Sequence, residues 1–331
     1  MNKKLARWAL DIWYQDHFIG AWLMPLGFFF ADFVKFRKFL YRIKVLKTHK
    51  LPVPVIVVGN ITVGGTGKTP LVIWLAQLLQ NEGFKPGIIS RGYGGEAQAS
   101  PQRVNADSTA SQVGDEALLL AKRSGCSVAV SPIRVDAARL LIEQSDCNVI
   151  ISDDGLQHYA LGRDIEIAVI DGERRFGNSY CLPAGPLREP IERLQSVDFV
   201  VVNGEPSEPG ELAMKFVGDT AVNLLTGEIK PLSEFAGVEC HALAGIGNPE
   251  RFFSMLRTAG IIVDVAQSYP DHYPLQRQDI EFATPKPVLM TEKDAVKCLG
   301  FAGKQHWFVP VVAVPEAEFG QRLLNLLREK T

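Results

Sequence analysis

Val55-Ile56-Val57-Val58-Gly59-Asn60-Ile61-Thr62-Val63-Gly64-Gly65-Thr66-Gly67-Lys68-Thr69-Pro70 decides the fold. The apolar β-branched run reads as a buried strand. The glycines then turn the chain, and Lys68-Thr69-Pro70 opens a helix, with Pro70 suited to its first turn. A strand, a glycine loop and a helix mouth in this order form a cradle for nucleotide phosphates. Backbone N–H groups of Gly64, Gly65, Thr66 and Gly67 can curl around phosphate oxygens. The helix N-terminus adds its positive dipole end, Lys68 reaches the β- and γ-phosphates, and the Thr69 hydroxyl is placed to ligate Mg²⁺. The general spacing G-x-x-x-x-G-K-[ST] would place glycine where this chain has Thr62, and Gly64 and Gly65 restore flexibility inside the loop.

Outward from the loop, residues 53–203 alternate short apolar runs with helical segments. Strands are expected at 55–58, 87–90, 128–130, 149–152, 165–170 and 199–202, with helices beginning near Pro70, Glu116 and Val135. This is an α/β pattern of the P-loop NTPase type: a parallel sheet with helices on both faces. Residues 204–238 hold turn residues and short strand candidates. A second, smaller α/β region follows, with strands at 241–244, 261–265, 288–290 and 307–312. It has a helix from Pro249 and a closing helix from Glu316 to about Glu329. Three units are expected: 1–50, an N-terminal helical segment; 51–203, the nucleotide-binding core; and 204–331, a second α/β region contributing to the cleft.

The first fifty residues differ from the rest. Residues 18–31 carry no charge and include Trp22 and Phe28-Phe29-Phe30. This run is shorter than the roughly 20 residues of a membrane-crossing helix, and Pro25 and Gly27 are expected to break it. In residues 35–47, Phe36, Phe39, Leu40, Ile43 and Leu46 share one helical face. Lys35, Arg37, Lys38, Arg42, Lys44 and Lys47 fill the other. A basic amphipathic helix beside an aromatic apolar segment reads as an interfacial membrane anchor. A helix pair packed on the protein's own core would give the same pattern.

Composition narrows the function. The chain has 331 residues, 47% of them hydrophobic, which suits a sizeable core. A net charge of -2 gives no global attraction to nucleic acid. Cys126, Cys147, Cys181, Cys240 and Cys298 are scattered, with no C-x-x-C pair. That argues against zinc and disulfides and fits a reducing cytosol. The N-terminus has no secretory pattern of an apolar core and small-residue cleavage site.

Asn148-Val149-Ile150-Ile151-Ser152-Asp153-Asp154-Gly155 is an apolar strand ending in two carboxylates. In a phosphate-loop protein an acid at such a strand tip binds Mg²⁺ directly or through water. Neighbouring strand side chains point to opposite faces, so one of the two is expected to meet the metal directly. Ser90-Arg91-Gly92-Tyr93-Gly94 follows another strand at the same sheet edge, and Gly114-Asp115-Glu116 precedes a helix. Pro186-Leu187-Arg188-Glu189-Pro190 follows a loop carrying Arg174 and Arg175, and Tyr269-Pro270-Asp271-His272-Tyr273 lies in the second region. Taken singly, Asp115 reads as a helix N-cap, and His272 as a satisfied structural histidine.

Segments 60–70, 90–94, 114–116, 153–158, 183–190, 270–273 and 291–295, in this order, resemble the tetraacyldisaccharide 4′-kinase family of lipid A biosynthesis. The most family-like strings are Gly59 to Pro70 and Asp153-Asp154-Gly155-Leu156-Gln157-His158. Thr62 belongs to that family's own version of the loop. The resemblance implies transfer of the γ-phosphate of ATP to the 4′-hydroxyl of an acylated glucosamine disaccharide 1-phosphate, giving lipid IVA. It implies ATP and Mg²⁺, work at the lipid surface on the cytoplasmic face of the Gram-negative inner membrane, no nucleic acid and no obligate protein partner. By motif, Lys68 and Thr69 hold phosphates and Mg²⁺, Asp153 and Asp154 serve the metal, and Glu116 supports it. Asp115, partnered by His272, is the base for the sugar hydroxyl, and Arg91, Tyr93 and Arg188 contact phosphate or substrate.

Three other readings fit parts of the chain. A P-loop switch or partition ATPase with this loop usually carries lysine where Val63 stands. A membrane-bound nucleotide sensor has no use for Asp115 and His272 beside a metal site. A kinase for a small soluble metabolite leaves the N-terminal segment unexplained.

Overall fold

The computed structural model of the chain describes residues 3–15, 18–93, 95 and 100–330; Gly94, part of the 90–94 string, lies outside them. Two helices, α1 (Lys3–Tyr14) and α2 (Phe18–Arg42), come first. The chain continues through β1 (Val55–Gly59), α3 (Lys68–Asn81), β2 (Pro86–Ser90), β3 (Gln102–Arg103), α4 (Ala110–Val113), α5 (Asp115–Ser124), β4 (Ser127–Val130) and α6 (Arg134–Gln144). Next are β5 (Val149–Asp153), β6 (Ile165–Asp171), β7 (Phe199–Asn203), β8 (Glu211–Val217), β9 (Thr220–Asn223), β10 (Ile229–Pro231) and β11 (Glu239–Ala244). The last part holds α7 (Pro249–Thr258), β12 (Ile262–Ser268), α8 (Arg277–Ile280), β13 (Val288–Thr291), α9 (Glu292–Cys298), β14 (His306–Val309), β15 (Val312–Pro315) and α10 (Ala317–Lys330).

Among the described residues these strands form two sheets. The larger runs β15-β8-β7-β6-β1-β5-β2-β4-β3, parallel except at its edges, where β15 and β3 are antiparallel. The smaller runs β10-β9-β14-β13-β11-β12. Every residue of β1, β2 and β5 is buried, as expected for central parallel strands covered on both faces. One face packs Leu71, Leu75, Leu120 and Phe319 from α3, α5 and α10. The other packs Val135, Ala138 and Leu141 of α6, with Phe30 and Ala31 of α2 resting on it.

The unit expected at 204–331 is divided between the sheets. Strands β8 and β15 and helix α10 complete the first layer system, while β9 to β14 form the second. The run expected as one strand at 307–312 is two strands, because Pro310 cannot donate to a ladder and the chain changes sheets there.

The N-terminal segment also differs from expectation. Helix α2 is continuous over 25 residues through Pro25 and Gly27, and by length and composition it is apolar enough to cross a membrane. It ends at Arg42 rather than at Lys47, where Lys44 turns left-handed (φ 62°) and the Leu46 N–H returns to Leu40 O. Proline costs a helix interior about 3 kcal/mol, and docking offsets it. At Gly27 a Cβ would lie 2.9 Å from Cys181 O and 3.0 Å from Ala184 Cβ, so the helix backbone meets the 181–184 loop directly. Trp22, Leu26, Phe29, Phe33, Phe36 and Phe39 point outward. Arg37 instead lies over the rings of Tyr41 and Tyr159, and Lys38 bonds Ser196.

Gly27→Leu should therefore undock α2 and destabilise the protein by about 1–3 kcal/mol. Gly20→Ala, whose new Cβ meets Ile12 at an ordinary 3.6 Å, should be neutral or slightly stabilising. Thermal melts of the two variants check this, and equal Tm values would contradict the docking.

Candidate active site

The loop between β1 and α3 stands at the carboxyl edge of the parallel strands, with β2, β4 and β5 on one side of β1 and β6 to β8 on the other. Open α/β sheets place ligands at such a reversal. The loop is tied from several directions. Val63 N–H donates to Pro186 O at 2.8 Å, and Arg188 N–H donates to Ile61 O at 2.7 Å. The Gln157 amide donates to Asn60 O at 3.0 Å, and Asn203, at the tip of β7, donates to Thr66 O at 3.3 Å. Gly67 has φ 98°, and a Cβ there would strike Phe216 and Asn203, so only glycine fits. No side chain caps α3, which leaves its first N–H groups available to an anion. Lys68 and Thr69 are half-buried at that mouth, and the buried Thr66 hydroxyl has no partner.

Asp153 and Asp154 end β5 beside this mouth. Asp154 sits in left-handed backbone (φ 47°), a strained placement that costs about 1–3 kcal/mol. It faces two cations, Lys68 at 3.4 Å and Arg188 at 2.9 Å. Burial alone would raise its pKa, but these cations hold it well below the usual carboxylate range. Asp153 is 1% exposed. Its Oδ2 accepts from Ser90 at 3.4 Å, and its Oδ1 has no partner. Burial, then the charges of Glu116 and Asp154, push its pKa up to about 7 against the pull of Lys68 and Arg134. The folded chain holds this proton to higher pH than the unfolded chain does. The penalty is absent below the unfolded pKa, grows as pH rises towards 7, and is full above it. Asp153→Asn should then raise stability at pH 8 by about 1–3 kcal/mol while abolishing activity. A Tm at pH 8 no higher than that of the native protein would contradict the reading of Asp153 as a buried, under-compensated charge.

An orphaned, buried carboxylate oxygen beside an uncapped helix mouth suits a divalent cation. Among the described residues no three His, Cys, Asp or Glu side chains converge as a metal cage. Mg²⁺ takes one or two carboxylates and completes its shell with phosphate oxygens and water. Glu116, expected to support the metal, is ion-paired to Lys293 at 2.8 Å, and its charge is the foremost of those acting on Asp153.

Asp115 begins α5 on the first sheet, and His272 lies in the 270–273 loop after β12 of the second. They are 157 residues apart in sequence, and their side chains meet at 3.0 Å, His272 Nδ1 to Asp115 Oδ1. Asp115 is buried. Burial would raise its pKa, but the His272 hydrogen bond and the charges of Lys293, His272 and Lys297 bring it below the usual range. Burial is the largest influence on the pKa of His272 and lowers it, as does the charge of Lys293; the Asp115 hydrogen bond together with the charges of Asp271 and Asp115 outweighs them, leaving the pKa raised above its ordinary value. His272 too is left-handed (φ 59°), so strain collects at this pair as it does at Asp154. The segment after β2 links the pair to the end of β5: Ser90 bonds Asp153, and Tyr93, three residues on, stacks obliquely on His272 with ring centroids 4.7 Å apart. Arg91 is exposed at the same rim.

A model of the tetraacyldisaccharide-1-P 4′-kinase family matches residues 19–328. The chain belongs to that family. Tetraacyldisaccharide 4′-kinase of Nitrosococcus oceani is 54% identical over 321 residues, covering 97% of this chain and 94% of its own. The enzyme of the same name from Vibrio vulnificus is 47% identical over 324 residues, 96% of each chain. LpxK from Aquifex aeolicus, solved in complex with ATP, superposes with a TM-score of 0.78 at 30% identity, covering 94% of this chain and 99% of that one. As a member of this kinase family the chain is an ATP-using phosphotransferase, and all of its N-terminal apolar helix but Phe18 falls within the family match.

Sequence reasoning gave no role to Arg134, Gln157 or Lys293. Arg134 is buried under β5, donating to the backbone O of Asp153 at 3.1 Å. Gln157 belongs to a family-like string and ties the phosphate loop. Lys293 stands in the 291–295 string. Its position in such a string was the one signal available, since its partners come from distant segments.

Proposed function

We propose that this protein transfers the γ-phosphate of ATP to the 4′-hydroxyl of tetraacyldisaccharide 1-phosphate, forming lipid IVA, on the cytoplasmic face of a bacterial inner membrane. The observation that supports this reading is the Asp115–His272 pair, linked through Tyr93 and Ser90 to Asp153 at the end of β5. A switch or sensor needs only the loop and its metal acids, whereas a kinase for a sugar hydroxyl needs a group to take the proton.

In this account Lys68 and the N–H groups at the mouth of α3 hold the β- and γ-phosphates of ATP. Thr69 and Asp153 would hold Mg²⁺, with Asp154 held in place by Lys68 and Arg188. When bound, Mg²⁺ neutralises charge on the transferring group. Asp115 accepts the proton of the 4′-hydroxyl as the new oxygen–phosphorus bond forms and the bond to the ADP oxygen breaks. His272 orients Asp115, and Arg91, Tyr93 and Arg188 contact the disaccharide phosphate or the nucleotide.

The base works best with His272 neutral, because an imidazolium beside Asp115 weakens it. Activity should then fall as pH drops through a midpoint above 6.5, the ordinary histidine value. The ion pair's contribution to stability runs the other way: it is complete below 6.5 and is lost as pH rises through the folded value. A pH–rate profile and pH-dependent melts measure both limbs, and trends of equal sign would contradict the pair's role.

The outward row of Trp22, Phe29 and Phe36 on α2 is the surface proposed to meet lipid. Changing the three to serine should lower vesicle binding by about 10²-fold or more, since each buried aromatic contributes about 1.5–3 kcal/mol. KM for the acylated substrate should rise and KM for ATP should not. ADP release that depends on the acylated disaccharide, and that its deacylated form supports poorly, tests the function. Turnover indifferent to the lipid acceptor would contradict it.

A further inference from the structure

The Asp115–His272 pair has one member on each sheet, and something must hold the halves in register. Helix α9, which follows β13 of the second sheet, lies against α5 of the first. It reaches across with three cross-sheet ion pairs: Glu292 to Arg123 at 2.6 Å, Lys293 to Glu116 at 2.8 Å and Lys297 to Asp115 at 3.5 Å. Arg123–Glu292 lies at the last turn of α5, away from the pair. Lys297 also bonds Asp294, which is itself fastened to Gly245 N. Lys293 differs from both. Its ammonium touches Glu116 at 2.8 Å, Asp271 at 2.8 Å and His272 Nε2 at 3.4 Å. It therefore contacts the residue after Asp115 on one sheet, and on the other both His272 and the residue before it.

The geometry points to Lys293 as a positioning residue for phosphoryl transfer: it clasps the loop carrying His272 to the helix start carrying Asp115. This rests on the assignment of Asp115 and His272 as the base pair. The clasp has two physical effects. It helps hold His272 in a left-handed backbone conformation, which is uncommon for non-glycine residues. In the neutral ring its ammonium, 3.4 Å from Nε2, favours the form in which Nδ1–H donates to Asp115, while Asp271 Oδ2 stands 3.6 Å from the same Nε2. Lys293 is 14% exposed, so a water molecule would be a poor substitute for its charge.

The test compares Lys293→Met, Lys293→Arg, Asp271→Asn and Arg123→Met in steady-state kinetics with lipid substrate and ATP, alongside melts. Lys293→Met should lower kcat by about 10²-fold, the scale of a misplaced reacting group, with KM for ATP unchanged. Lys293→Arg, which can still span two carboxylates, should recover most of the loss, and Asp271→Asn should show a smaller one. Arg123→Met, which removes a cross-sheet ion pair but not the clasp, should lower Tm with little change in kcat. Combined with Asp115→Asn, Lys293→Met should add almost nothing. A Lys293→Met enzyme with native kcat, or a loss that tracks Tm equally in Lys293→Met and Arg123→Met, overturns the inference. If Lys293→Met does not fold, native kcat in Asp271→Asn overturns it. Native kcat in Asp115→Asn alone overturns the base assignment, a separate failure.

Discussion

Lys68→Ala is expected to lower kcat by about 10³-fold while leaving a folded protein. The lysine opens α3 where uncapped N–H groups, a left-handed glycine and a paired carboxylate meet. Charge on a transferring phosphoryl group is spread over its outer oxygens, and catalysis depends on cations and dipoles already aimed there. Removing the ammonium leaves the helix dipole and Arg188 but takes away the cation nearest the γ-phosphate. Stability should change little, because Asp154 keeps Arg188 at 2.9 Å. Lys68→Arg should restore only part of the rate, since a planar fork cannot occupy the position of a compact ammonium. Near-native kcat in Lys68→Ala would remove the nucleotide loop from the account.

The second large effect is expected at Asp115. Asp115→Asn should reduce kcat by about 10²–10⁴-fold, the range for loss of a general base, with ATP affinity within about twofold because the phosphates are held elsewhere. His272→Ala should cost less, as the histidine orients the carboxylate and does not take the proton first. The double variant should be little worse than Asp115→Asn, since groups acting as a unit are not additive. Isothermal titration with ATP and single-turnover kinetics on all four proteins complete the cycle. Additive losses, or a defect confined to ATP binding, would make Asp115 a helix-start or metal-supporting residue.

The central strands could be read from sequence because they are continuous apolar runs, buried along their whole length in β1, β2 and β5. The phosphate loop could be read because its function is local: glycine, lysine and threonine act within one turn of chain. The return of β15 and α10 to the first sheet could not be read. Their pairing with β8 and the first core is non-local, and β15 alternates exposed and buried residues as an edge strand does. Pro25 was misleading because a helix docked at a backbone contact tolerates a proline that an isolated helix would not. At the site, Asp115 and His272 were paired only through the resemblance of short strings; neither residue's neighbours in sequence reveal the other. The clasp by Lys293 and the locking of Asp154 by Arg188 depend wholly on tertiary placement.

The central claim is tested most directly by incubating the purified protein with γ-labelled ATP and tetraacyldisaccharide 1-phosphate in detergent or vesicles and locating the label. One new phosphate monoester is expected on the lipid, at the 4′ oxygen, formed in step with ADP and lost in Lys68→Ala. Label found only in inorganic phosphate, or on the existing 1-phosphate, would contradict it.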